Sequence, residues 1–570
     1  MSSHLGDVEK LVWAYALKNA LDYNGKAMAK SVIAKIFKEK PELRSSARQI
    51  VSIVNHVVEE VNKLPVEEQE KLFEKYRDLV SEPVKKEKEL LPPLPNAEEG
   101  KVVTRFAPNP DFVIHLGNAR PAILSHDYAR KYKGRFILRF EDTDPRTKTP
   151  IKEVYDLIKE DLAWLGIKWD AEYIQSLRME TYYDIARQLI SRGGAYVDTC
   201  PAEESRKLIS EGRGCPTRDN PVEWHLENFE KMIEGYYDEG EAVLRVKTDL
   251  GHPDRSVRDW VAFRIIDTEK YPHPIVGSKY VAWPTYNYAV SVDDHLMGVT
   301  HILRGKEHMQ NSLKQRFLFN HMGWEYPVTI HFGRVHFEGF IMSKSMIREL
   351  ISREPEKYWG FDDPRFGTIR GLRRRGILPE AIRELILQVG IKGTDARITY
   401  TNLAAINRKL LDEKAHRIMY VEDYAKMRVR TTVILRARTP VHPSIDMYRE
   451  YVIHPDSYIC VNKKDAEKPE IRLIGLGNFR VTSGILEYNG DDIKYARERS
   501  LPLAQWVPCD GAVETEVYRP VGLEFDVKTG YAEPALASYK AGDKLQFIRY
   551  GFVRIDSVHN GIVRVIYTHD

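Results

Sequence analysis

The sequence predicts a multidomain chain in which an α/β region is followed by an all-β end and preceded by helices. Three observations carry this. Apolar residues recur at three- and four-residue spacing before residue 80; short apolar runs alternate with amphipathic helices from about 100 to 200; and β-rich runs between Gly, Pro and Asp turns fill the chain beyond about 430. At 570 residues the chain is too long for one ordinary core and corresponds to roughly three to five domains.

In the first region, Leu11, Val12, Ala14, Leu17, Ala20 and Leu21 mark one apolar face, and Ile50, Ile53, Val54 and Val57 mark another. Lys40, Pro41, Glu42 and Arg44 form a polar turn between them. Ser81-Glu82-Pro83, the charged run Lys85–Glu89 and the cluster Pro92-Pro93-Leu94-Pro95 read as a linker, which sets a boundary near residue 99. Residues 1–98 are therefore expected to be a helical extension and linker.

Val102–Phe106 reads as a short buried strand that leads through Pro108-Asn109-Pro110 and His115-Leu116-Gly117-Asn118 into an apolar helix. Arg135–Phe140 is a second strand, and a helix carrying Val154, Leu157, Ile158, Leu162 and Leu165 follows. Strand, helix, strand, helix predicts a parallel sheet over residues 99–200. Gly, Pro and charged residues break the rhythm over 201–280, which reads as an insertion, and the alternation resumes over 281–345. A helical, Arg-rich segment is expected over 346–430. Runs such as Thr432–Leu435 and Ile562–Tyr567, with turns at Asn489-Gly490-Asp491 and Ala541-Gly542-Asp543, predict β-barrels over 431–570.

Composition narrows the classes of function. Hydrophobic residues are 43% and charged residues 30%, enough for buried cores and a solvated surface, so wholesale disorder is excluded. Lys plus Arg is 86 against 83 for Asp plus Glu, a net charge of +3, which excludes a nucleic-acid binder working through bulk charge but leaves room for local basic patches. Four cysteines cannot make a disulfide framework, and a reducing compartment is expected. With no apolar run near membrane length and charged residues at the N-terminus, the expectation is a soluble, cytoplasmic chain without membrane contact.

Two loops carry the chemistry. The segment from Pro108 to Asn118 opens a helix after a strand, where unpaired amides and the positive dipole end suit a phosphate chain. Gly117 removes a side chain where a nucleotide approaches, and His115 offers a donor to a phosphate oxygen; alone, such a turn is often just a helix cap. About 225 residues later, Met342-Ser343-Lys344-Ser345 places a lysine between hydroxyls in a Gly-containing loop, a mobile cation for phosphate oxygens. Together, in this order and around an inserted α/β domain, the two loops say more than either alone.

With His115-Leu116-Gly117-Asn118 as first signature and Ile341–Ser345 as second, the chain resembles the class I aminoacyl-tRNA synthetases. Arg105–Pro110, Phe140–Pro145 and Asp293–Gly305 look like those of the glutamyl-tRNA synthetases, and the β-rich end, including Gly542–Phe547, is similar to the archaeal and eukaryotic branch of the glutamyl/glutaminyl subfamily. The resemblance spans about 100–570. It implies a Rossmann-like catalytic domain with an acceptor-end-binding insertion, a helical N-terminal extension, a helical stem-contact region and two anticodon-binding β-barrels at the C-terminal end.

It also implies ATP-dependent activation of L-glutamate to an adenylate, and transfer to the 3′ end of tRNA(Glu). His115 and Lys344 would be catalytic, with Pro108, Gly117, Asn118, Glu307 and Ser343 joining them around ATP. Arg105, Tyr286 and Arg304 would line the glutamate pocket, and Glu141 would take the α-ammonium; which arginine holds which carboxylate stays open. Mg²⁺ is expected on the phosphates, held mostly by substrate and water. Arg304 stands where glutaminyl enzymes carry an uncharged residue, which favours glutamate, because a carboxamide leaves a guanidinium partly unpaired. The chain departs from the family at Ile341, where a lysine is usual, and at Leu116 and Asn118, where Ile and His are common; Lys344 alone must supply the loop cation.

Arg365, Arg370, Arg373, Arg374 and Arg375 place five guanidinium groups within eleven residues. In this family context they are expected to meet the tRNA inner arm through phosphates, although such clusters also anchor neighbouring carboxylates. Trp506, Phe547, Arg549 and Tyr550 are candidates for stacking anticodon bases, against the commoner role of barrel aromatics as core. Cys200 and Cys215, near Asp198 and His225, invite a zinc reading, but Cys-x14-Cys is no standard ligand spacing; two buried thiols are expected and zinc is not. The N-terminal helices are a candidate surface for a protein partner. Competing readings are a glutaminyl-tRNA synthetase, disfavoured by Arg304, and a non-catalytic tRNA-binding paralogue, disfavoured by His115 and Lys344. No Gly-x-Gly-x-x-Gly follows the first strand, so a Rossmann oxidoreductase has no support.

Overall fold

The apolar spacing of the first eighty residues does produce helices, at Ser2–Asp22, Ala29–Glu39, Ala47–Lys63 and Val66–Tyr76. They are seen in a computed structural model that describes residues 2–23, 25–80 and 90–570. Val12, Leu17, Val32, Ile36, Val54 and Val61 meet in one core, where burying the apolar stripes supplies stability that short helices lack alone. The buried Gln69 amide lies 3.0, 2.9 and 3.0 Å from the carbonyls of Gly25, Val61 and Leu64. The chain divides into this unit, Met1–Glu89, and a second, Leu90–Asp570. The charged half of the expected linker, Ser81–Glu89, lies outside the described residues.

The proline half of that linker is part of the second unit. Leu94 is buried in its main core and donates its N–H to Tyr132 Oη at 2.9 Å, while Pro92 accepts from Tyr128 Oη at 2.9 Å. Proline has no N–H to satisfy, so a stretch of prolines can lie against a folded surface through carbonyls and rings alone.

Strands Val103–Phe106, Arg135–Phe140 and Ala171–Ile174 pair in parallel, as do His301–Gly305 and Val328–Phe332. The two sets meet at Val103, which accepts the Thr300 N–H at 3.0 Å and donates to Thr300 Oγ1 at 2.9 Å. Helices Leu116–Lys131, Lys152–Trp164, Tyr286–Leu296 and Met309–Met322 accompany the strands. The inserted segment has its own sheet: Ala195–Asp198, Val243–Val246, Val261–Ile265 and Ala282–Pro284 pair antiparallel, with helices Ala202–Ser210 and Val222–Ile233 between them in sequence. Its edge strands reach a few residues past both expected boundaries.

The helical segment expected to run to 430 stops earlier. Helices Lys344–Arg353, Ile369–Arg375, Pro379–Val389 and Tyr400–Asp412 are followed by strands from His416 onward. In Tyr424–Arg430 only Met427 and Val429 are buried, and the basic residues between them hide a period-two pattern. Thr432–Ile434 lies outside the strand that begins at Leu435.

The all-β end forms two seven-stranded sheets that are nearly closed. The first runs from Leu503–Ala504 through 470–473, 477–482, 485–488, 424–430 and 458–462 to Trp506–Pro508. The second runs from His416–Ile418 through 544–547, 551–559, 562–569, 513–521 and 524–532 to Tyr420–Glu422. In each, the two outermost strands are consecutive in sequence, so one short segment bridges both edges and leaves little unpaired backbone.

Close backbone approach governs the join between the first two catalytic strands. A Cβ on Gly134 would lie 1.9 Å from the Val102 carbonyl oxygen. Gly134→Ala is therefore expected to cost on the order of 2–4 kcal/mol through strand displacement, seen calorimetrically as a lower melting temperature of the catalytic region; an unchanged transition would mean the strands part freely.

Candidate active site

The helix Leu116–Lys131 begins at His115, which is extended and caps it. The ring Nδ1 accepts the Gly117 N–H at 3.1 Å, and Asn118 Oδ1 accepts the His115 N–H at 3.4 Å. An accepting Nδ1 leaves the ring proton on Nε2. Burial, and then the charge of Lys344, push His115 down to about 4, so the ring is neutral near pH 7. A Cβ on Gly117 would lie 2.9 Å from this ring and 3.3 Å from the Met342 methyl, so this glycine also makes room for the cap and the second signature to touch.

The second signature lies over the first. Gly367 donates its N–H to Ile341 O at 2.7 Å, and its own carbonyl accepts the Leu116 N–H at 3.0 Å. Ile341 packs against the apolar cluster of Phe112, Val113, Ile347 and Phe366, which gives the departure from lysine at this position a packing reason. Ser343 caps helix Lys344–Arg353, and Lys344 Nζ stands 3.2 Å from Asp111 Oδ1 on the first-signature loop.

Below them opens a cleft of about 780 Å³. Arg105, Pro108, His115, Gly117, Asn118, Glu141, Tyr286, Arg304 and Glu307 all line it, so the structure brings these sequence-predicted residues together, with Ser343 and Lys344 on the adjoining loop. The Glu307 carboxylate fills the space a Cβ on Gly305 would need, 2.3–2.5 Å away.

One end of the cleft is built on buried ions. Asp294 Oδ1 accepts from Arg139 Nη1 at 2.8 Å and Arg105 Nε at 3.1 Å, and Oδ2 accepts from Arg105 Nη2 at 3.3 Å. Arg139 also donates to Glu141 Oε1 at 3.0 Å. Burial opposes the charge of Asp294, but Arg105 and Arg139 outweigh it and hold the carboxyl below its usual range. Burial raises Glu141, with Arg139 and Arg105 pulling the other way. Asp293 next door accepts from Gln175, Arg178 and Tyr182 at 3.0, 2.9 and 2.7 Å.

Arg304 differs from these arginines. Only 5% exposed, it donates through Nη2 to Ser312 Oγ, to Gln315 Oε1 and to Tyr326 Oη, the last two at 3.0 Å, and meets no carboxylate among the described residues. Its Nε and Nη1 are buried and have no partner among the described residues. Nearby, burial and then the Arg304 charge push His308 down to about 4. A fixed guanidinium with unfilled donors on the wall of a cleft has the chemistry to meet a carboxylate.

The family model described as tRNA synthetases class I (E and Q), catalytic domain, matches residues 101–413, and that of the anti-codon binding domain of the same class matches 503–556. The glutamate–tRNA ligase of Aeropyrum pernix is 55% identical over 99% of this chain and 99% of its own. That of Hyperthermus butylicus is 53% identical over 97% and 100%, and that of Pyrococcus furiosus 52% over 99% and 100%. The chain belongs to the class I tRNA synthetases of the E and Q type.

In this synthetase, sequence reasoning named the cleft-lining arginines but not what holds them. Asp294, Arg139, Ser312, Gln315 and Tyr326 were missed as positioning residues; the one available signal was a pair of adjacent carboxylates on the otherwise apolar helix Tyr286–Leu296. The arginine cluster after the Lys344 loop separates into different roles. Arg365 is buried against Asp363, and Arg374 pairs bidentately with Asp556 at 2.8 and 2.9 Å. Arg370 pairs with Glu160 at 2.6 Å, Arg375 lies 3.9 Å over the Tyr400 ring, and Arg373 is exposed. Trp506 and Phe547 are buried in the first and second barrel cores.

The expectation of two buried thiols is corrected: Cys200 and Cys215 are joined in a disulfide. Asp198 beside them accepts from Arg245 Nε at 2.5 Å, Ser205 Oγ at 2.6 Å and the Cys200 N–H at 2.9 Å. The ligand atoms of Asp198, Cys200 and Cys215 lie within 4.8 Å of one another, with the sulfurs bonded to each other and the carboxylate engaged by Arg245 and Ser205.

A capped, desolvated imidazole should not take a proton near neutrality. With ring-labelled histidine, the His115 resonance, assigned through His115→Asn, is expected to stay flat between about pH 8 and 5.5 while exposed histidines titrate near 6.5; a titration of His115 in that interval would contradict the neutral ring.

Proposed function

We infer that the chain is a glutamate–tRNA ligase, which couples ATP to the activation of L-glutamate and passes the glutamyl group to the 3′ end of tRNA(Glu). The observation that carries the choice of amino acid is Arg304, whose buried donors meet no anionic partner among the described residues. A γ-carboxylate supplies one; the amide of glutamine would leave the guanidinium uncompensated, at a cost of several kcal/mol by order of magnitude. The reading as a glutaminyl enzyme is disfavoured on that ground.

In this reading Glu141, oriented by Arg139, takes the α-ammonium of the substrate, and Arg105 and Tyr286 complete the pocket around its carboxylates. One oxygen of the α-carboxylate attacks the α-phosphorus of ATP, a new P–O bond forms, and the bond to pyrophosphate breaks. Neutral His115 donates from Nε2 to a phosphate oxygen, alongside Gly117, Asn118 and the backbone at Pro108. Glu307 borders the nucleotide. Ser343 starts the helix that presents Lys344, whose ammonium leaves Asp111 for the phosphates as their charge shifts. The terminal ribose hydroxyl of the tRNA then attacks the acyl carbon and AMP departs.

Among the described residues, the cleft carboxylates Glu141, Asp144 and Glu307 form no converging cation cage, and Glu141 is engaged by Arg139 and Asp144 by Arg264 at 2.7 Å. Mg²⁺ would then be held by phosphate oxygens and water, where it neutralises charge. Arg373 is the arginine of the cluster best exposed to meet tRNA phosphate; Arg370, Arg374 and Arg375 border it, and their carboxylate or ring partners limit them to a supporting role. The inserted domain would take the acceptor end and the barrels the anticodon, with the reaction run in the cytoplasm.

Two substitutions test this. Arg304→Cys is expected to raise the glutamate KM about 10²-fold or more in tRNA-dependent pyrophosphate exchange while the ATP KM holds; unchanged glutamate affinity would remove Arg304 from recognition. Lys344→Ala is expected to lower the activation kcat by about 10²–10³-fold with glutamate KM nearly constant, and unimpaired exchange would exclude the lysine from the chemistry.

A further inference from the structure

We propose that Cys460 and Cys509 are a second cross-link site, which a small-molecule disulfide oxidant closes to lock the first β-barrel. Strand Tyr458–Asn462 pairs with Tyr424–Arg430 on one side and with Trp506–Pro508 on the other. The second of these partners is the strand that brings the two edges of that barrel together. Cys509 follows it directly and donates its N–H to Tyr458 O at 3.1 Å, two residues ahead of Cys460. The two Sγ atoms lie 2.6 Å apart, well inside van der Waals contact of two sulfurs. A disulfide is about 2.05 Å long, so roughly half an ångström of movement separates contact from bond.

The surroundings divide the roles. Cys460 is buried and Cys509 is half-buried, so an oxidant in solution meets Cys509 first. Lys426 stands opposite Cys460 on the neighbouring strand. The hydrogen bond from Cys460 holds Cys509 below the usual thiol value, and the Lys426 charge adds to it against burial, which favours thiolate at the accessible sulfur.

The Cys509 thiolate attacks one sulfur of the oxidant, forming a mixed disulfide and expelling one thiolate. Cys460 gives up its proton, attacks Cys509 Sγ and expels the second thiolate. The protein loses two electrons and two protons, and the oxidant is reduced to two thiols. The link would tie the end of the closing strand to the strand beside it and restrain the 49-residue separation between the cysteines in the unfolded chain. Cys200–Cys215 shows that the same chain already accommodates one such bond.

The test uses the full chain treated with oxidised glutathione, unfolded in N-ethylmaleimide and digested with trypsin without reductant. The expected product is a linked pair of peptides, 450–463 with 500–528, that separates on reduction and whose formation raises the melting temperature of the barrel. In Cys460→Ser, Cys509 is expected to stop as the mixed disulfide with glutathione; in Cys509→Ser, Cys460 is expected to remain an unmodified thiol. Wild-type protein that keeps both thiols alkylatable after oxidation, or that halts at glutathionylated Cys509, would overturn the proposal without recourse to either variant.

Discussion

The cleft depends on one carboxylate. Asp294 accepts from two arginines that come from different strands, Arg105 and Arg139, and Arg139 in turn orients Glu141. Burying three or four charges is expensive, and a set of apolar side chains of the same volume would serve stability as well or better. What apolar packing cannot do is hold a guanidinium and a carboxylate at fixed positions on the wall of a polar cleft. Asp294 outweighs the repulsion between the two arginines and keeps both charged despite their burial. Asp293 does the complementary task on the far side, anchoring the helix that carries both residues to Gln175, Arg178 and Tyr182.

Against that rigid wall stands an arginine left deliberately uncompensated. Arg304 is steered by three neutral acceptors, which fix direction without cancelling charge. An aspartate in place of Gln315 would have satisfied it, and the pocket would then have had no electrostatic reason to prefer an acid over an amide. In the proposed reading, the contrast between Arg105, paired within the protein, and Arg304, left for an anion, would be the electrostatic basis of selectivity.

Much of this was legible in the sequence, and the limits have physical causes. Three- and four-residue spacing revealed the N-terminal helices because their cores are local. Arg304 stood out because its neighbours in the chain carried a recognisable pattern. Asp294 did not, since its partners lie 155 and 189 residues away and nothing about a carboxylate in a helix announces them. The arginine cluster shows the same limit: Arg374 is answered by Asp556, 182 residues later, a partner that the run of arginines alone does not reveal. The strands after His416 were hidden by basic residues on their exposed faces, and Cys-x14-Cys spacing carried no information about the distance between the sulfurs.

Those long-range pairs also join the second barrel to the signature loops. The helix Ile369–Arg375 is fixed at one end to the second barrel, by Arg374 on Asp556 and by Thr568 Oγ1 donating to the Arg375 carbonyl at 2.7 Å. At its other end Thr368 caps it and bridges to His115, and Gly367 bonds both signature loops. A short, doubly anchored helix has few ways to bend, so a displacement of the barrel relative to the catalytic sheet must either break the Arg374–Asp556 pair or move the turn on which the two signatures rest. The second barrel is in turn tied to the first through Gln505, which accepts from the Tyr420 N–H at 3.4 Å and donates to Ile548 O. Barrels and cleft are therefore joined by a continuous set of hydrogen bonds and ion pairs, and in the proposed reading an RNA seated on the barrels would have its other end positioned through them.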